Sequence, residues 1–109
     1  MISQVLLIAL MASAQGNLAS ARTSYSKCLG SFTRAQVKEG VAVDAFQAKL
    51  TEACKPEEAA FRAASVATDV AAKIARATAE QNATEEIGYI RENSVETFKS
   101  SMETPAAPK

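Results

Sequence analysis

The sequence predicts an all-α protein: a small three- to four-helix bundle built on a disulfide-clipped antiparallel helical hairpin, with a long C-terminal helix. Three observations lead there. Apolar side chains recur at helical spacing along most of the chain, alanine dominates the small residues, and the only two cysteines, Cys28 and Cys54, stand at matching distances on either side of a glycine turn.

The first element is a leader. Met1 to Ala14 contain no charged side chain, and Val5 to Met11 form an apolar run. That run falls well short of the roughly 20 residues a bilayer-spanning helix needs. Ala12-Ser13-Ala14 has the small-x-small form cut by signal peptidases, so cleavage is expected between Ala14 and Gln15. Residues 1–14 are then a cleavable signal peptide, 15–103 a helical domain, and 104–109, with Pro105 and Pro108, a flexible tail. The expected location is secreted or periplasmic, with no stable membrane insertion once the signal is removed.

From Gln15 onward, Leu, Ile, Val and Phe make up 16 of 95 residues, so the core must be thin. The whole chain carries 12 basic and 12 acidic residues and no net charge, and its alanines favour helix over disorder. Residues 15–56 are net +3 and 57–109 net −3, fields too weak to point to nucleic acid or to an acidic membrane.

Helix A is expected from about Asn17 to Lys38, because Leu18, Ala21, Tyr25, Cys28, Phe32 and Ala35, with Leu29 beside them, step along one helix face. Gly40 ends it, with Lys38 in the last turn. Asp44 then reads as an N-cap completed by Gln47, opening a short helix B that buries Phe46, Leu50 and Ala53. Pro56 suits the start of the next helix, where Glu57 and Glu58 meet the positive end of the dipole. With the turn near Val41, Cys28 and Cys54 each lie 13 residues away, so equal helical rise brings them level. In an exported chain such a pair reads as a structural disulfide, since a zinc site needs four ligands and the chain has two cysteines and no histidine.

Beyond Pro56 a helical pattern continues to about Ser100. Ala63, Val66, Val70, Ile74 and Ala77 form its expected packing stripe. Asn82 with Glu85 has the form of a second capping box, which places a break near Asn82 and a fourth helix with Ile87, Ile90, Ser94 and Phe98 on one face. Without that break, the helix would overhang the hairpin and expose Ile87, Ile90 and Phe98 as a surface for a partner.

Site chemistry is sparse. With no histidine, a Ser-His-Asp or Cys-His site is impossible, and no glycine-rich phosphate loop is present. The paired acids Glu57/Glu58 and Glu85/Glu86 read as helix-start charges, Tyr25 and Phe32 as core, and Asn82-Ala83-Thr84 as a formal glycosylation sequon in mid-helix. No enzyme activity, metal or cofactor is expected.

Phe32-Thr33-Arg34-Ala35-Gln36 resembles the LTxxQ motif of small helical periplasmic stress chaperones, with Phe in place of Leu, and Leu50-Thr51-Glu52-Ala53-Cys54 shares its first half. The likeness spans these ten residues and implies a dimeric cradle for unfolded clients. The leading expectation is different: an exported helical accessory that acts through protein contacts, by binding a partner or by self-association. A holdase-type chaperone is the first alternative, and a membrane-surface helical protein the second.

Overall fold

A computed structural model describes residues 2–103, with side chains described from Asn17 onward. The expected tail at 104–109 and the side chains of the expected signal segment lie outside the described residues. Four helices follow one another: α1 over Ile2–Glu39, α2 over Val43–Leu50, α3 over Lys55–Ala71 and α4 over Arg76–Glu103.

Helix α1 contains the whole of the expected helix A and continues back to Ile2, so the Ala14–Gln15 bond lies in helical backbone. At 38 residues it is about 57 Å long. Its end is set by Gly40, whose φ of 70° is open to glycine at no steric cost. Gly40 N–H donates to the Val37 carbonyl at 3.0 Å and Val41 N–H to that of Gln36 at 3.4 Å, which is the Schellman arrangement.

The chain then reverses. Phe46 of α2 stacks on Phe32, Cys54 is bonded to Cys28, and Phe61 of α3 stacks on Tyr25. Helices α2 and α3 therefore run in succession along α1 as one rod, broken at Thr51–Cys54. Two expectations at this rod are corrected. The N-cap of α2 is Ala42 with no side-chain cap bond, and Asp44 falls within the first turn, where the dipole still favours an acid. Ala53 lies in the turn, not in helix B, because Cys54 takes a left-handed φ of 61° as the N-cap of α3. The disulfide, with Cα atoms 6.0 Å apart, thus fastens α1 to the joint of the broken rod. A cross-link over a sequence separation of 26 is worth about 3–4 kcal/mol in the chain-entropy model.

The break expected near Asn82 occurs earlier. Helix α3 ends at Ala71 with Ala72 as its C-cap, Lys73 adopts a φ of 73°, and a second Schellman pair forms: Lys73 N–H to the Val70 carbonyl and Ile74 N–H to that of Asp69, both at 3.0 Å. Ile74 packs on Val66, Ala79 and Ala83, and this apolar anchor folds α4 back along α3. Asn82 is consequently inside α4, where its side-chain amide donates to the Asp69 carboxylate at 3.2 Å.

The main core joins all four helices through Tyr25, Leu29, Phe46, Leu50, Phe61, Ile87 and Phe98. Ile87, Ile90 and Phe98, the possible partner surface of an unbroken helix, are not exposed: Ile87 and Phe98 are 1% and 0% exposed, with Ile90 half-buried against them. The early turn at Lys73 is the reason, since it leaves α4 lying along the bundle with no overhang of these residues. On α3 the buried positions are Phe61, Ser65 and Val66, while Ala63 and Val70 of the expected stripe, and Ala77 at the start of α4, are exposed.

Candidate functional site

Helix α4 runs parallel to α1, and a groove opens between them. Its volume is about 380 Å³. Leu29, Val37 and Ile90 give it an apolar floor, Ser26 and Thr33 border it from α1, and Asn93, Ser94, Thr97 and Ser101 border it from α4. Gly30 is what opens the α1 wall. A Cβ there would meet a single atom within 4 Å, Arg34 Nη1 at 3.5 Å, so the guanidinium lies across the space that a side chain would fill. Glycine inside a helix costs about 1 kcal/mol relative to alanine, and at Gly30 that cost leaves room in the groove.

Among the described residues, one buried polar group on the groove wall is without a partner, and the charge beside it is unpaired. Thr33 is 4% exposed and its hydroxyl has no hydrogen-bond partner. A helical threonine ordinarily bonds back to its own helix, as Thr68 does to the Ala64 carbonyl at 2.8 Å; Thr33 makes no such bond. A buried polar group left unpaired costs about 1–3 kcal/mol. Arg34 donates to Ser31 Oγ at 3.3 Å, and among the described residues no carboxylate pairs with it. One turn on, Gln36 is 6% exposed with its side-chain oxygen also unpartnered.

A second polar cluster is structural. Arg91 of α4 forms an ion pair with Glu58 of α3, and the Tyr25 hydroxyl donates to the same Glu58 oxygen at 3.4 Å. Burial pushes the Tyr25 phenol above its ordinary pKa of 10.0, the Glu58 charge pushes the same way, and Arg91 opposes both. The three groups pin three helices together around the Tyr25–Phe61 stack, over which Arg22 lays its guanidinium 5.3 Å from the Phe61 centroid.

The other residues singled out in the sequence are accounted for within the fold. Glu57 lies with Cys28 and Cys54 in a group whose ligand atoms are within 4.8 Å of one another, but sulfurs joined to each other offer no thiolate to a metal. Glu86 pairs with Arg22 at 2.8 Å on the surface. In the chaperone-like fragment, Phe32 stacks on Phe46 while Thr33 and Gln36 are buried. Among the described residues no helix is long and apolar enough to cross a membrane.

Sequence reasoning did not single out Gly30, Thr33 and Arg34 as a site, nor the polar row Asn93, Ser94, Thr97 and Ser101. The signals were an interior glycine in an otherwise strong helix and a hydroxyl-rich strip at helical spacing on α4. Compared with protein-family models, with curated proteins and with solved structures, the chain matches none.

Proposed function

We propose that the protein is an exported, non-catalytic accessory that works by protein contact, and that the α1–α4 groove is its contact surface. The observation that carries this reading is the Thr33 hydroxyl, buried at the groove without a partner. Export is supported by the Cys28–Cys54 disulfide, which suits an oxidising compartment. Burial of Ile87 and Phe98 weighs against a broad client-holding surface. The large apolar side chains left exposed among the described residues are Val70, Tyr89 and Met102, which lie far apart in sequence.

Two measurements test the reading. Intact mass of the exported protein, before and after reduction and alkylation, should give a chain beginning at Gln15 whose thiols react only after reduction. A full-length chain with two free thiols would refute export. A photo-crosslinking residue at Asn93, on the groove, should capture a discrete protein, whereas one at the exposed Ala59 of α3 should not. Equal capture at both positions would refute the groove as the contact surface.

A further inference from the structure

We infer that the groove between α1 and α4 takes an extended peptide segment of a partner in which an apolar side chain is followed by a carboxylate. This rests on the contact reading above and names the chemistry of the occupant. The apolar floor of Leu29, Val37 and Ile90 accepts one side chain and gives a purely polar ligand nothing to bury against. The walls favour a peptide over an alkyl chain, because their hydroxyls and the Asn93 amide match the alternating donors and acceptors of an extended main chain. Arg34 supplies the sign. It is the charged residue on the lining, it lies over Gly30, and no carboxylate of the described chain neutralises it. A carboxylate can accept two parallel N–H bonds from its guanidinium.

Thr33 is the independent mark of a missing partner. Its residue is more than nine-tenths buried on the groove wall and its hydroxyl bonds to nothing. Threonine in a helix has two χ1 wells because its hydroxyl can bond back to its own backbone, and Thr33 makes no such bond. Gly30 lets a main chain approach, since any larger residue would fill the space beneath Arg34.

The test is an amide-resolved NMR titration of the disulfide-intact full chain with the peptide acetyl-Ser-Leu-Glu-Ser-amide, at up to about 1 mM, the weak limit of specific binding. The Gly30, Thr33, Asn93 and Thr97 amides should shift. Replacing the peptide's Glu by Lys, or its Leu by Ala, should weaken binding by about tenfold or more. Arg34→Gln should do the same, and Gly30→Leu, which adds a good helix former and so keeps the fold, should abolish the shifts. Equal shifts with the Lys peptide would overturn the charge assignment while leaving the groove as a contact surface. No shifts with any peptide would overturn the inference, and capture at Asn93 then decides the wider reading separately. Shifts at these amides on concentrating the protein alone would assign the groove to a second copy and likewise overturn it.

Discussion

Phe46 and Phe98 lie face to face, ring centroids 4.2 Å apart and planes 6° from parallel, which joins the eight-residue α2 to the C-terminal half of α4. Phe32 also stacks on Phe46, with ring centroids 5.7 Å apart. A helix as short as α2 has little stability of its own, so this stack is what holds it.

Phe46→Leu and Phe98→Leu are each expected to destabilise the protein. In a double-mutant cycle they should couple by about 0.5–1.5 kcal/mol, the usual worth of an aromatic pair beyond its buried area. Urea unfolding of the four proteins measures this, and additive effects would mean that the rings act only as independent core volume.

Replacing both cysteines by serine should cost about 3–4 kcal/mol and lower the thermal midpoint by at least about 10 °C. The loss should be met equally by treating the native protein with reductant. An unchanged midpoint would mean that the Cys28–Cys54 bond constrains nothing that packing does not already hold.

Tyr25 gives an alkaline limit. Its folded pKa is raised above the ordinary 10.0, so the unfolded chain loses the proton first. Its contribution to stability is therefore complete below pH 10 and falls as pH rises from there through the folded value. Tyr25→Phe should flatten that part of the stability curve relative to the native protein. Parallel alkaline slopes in the two proteins would show that other groups set the limit.

Lys73 holds a left-handed backbone at a φ of 73° that costs a non-glycine residue roughly 1–2 kcal/mol. Lys73→Gly removes that cost and adds back part of it as unfolded-state entropy, for a net gain of about 0.5–1 kcal/mol. Lys73→Val should destabilise. If the glycine variant gained nothing in chemical denaturation, the second Schellman turn would not be under strain.

The sequence by itself determined the helical class, the end of α1, the start of α3 and the pairing of Cys28 with Cys54. These rest on local causes: glycine's freedom at positive φ, proline's fit to a first turn, and helical rise on either side of Val41. The second turn was not legible, because its left-handed residue is a lysine and its cause is the distant packing of Ile74 on Val66, Ala79 and Ala83. Asn82 and Glu85 carry a capping signal that a tertiary contact overrides. Everything downstream of that turn depends on it, including the burial of Ile87 and Phe98 and the groove that Gly30, Thr33 and Arg34 form with Asn93 and Thr97. A groove belongs to two helices at once, and helical spacing describes one at a time. Only the packing of α4 along α1 brought its walls together.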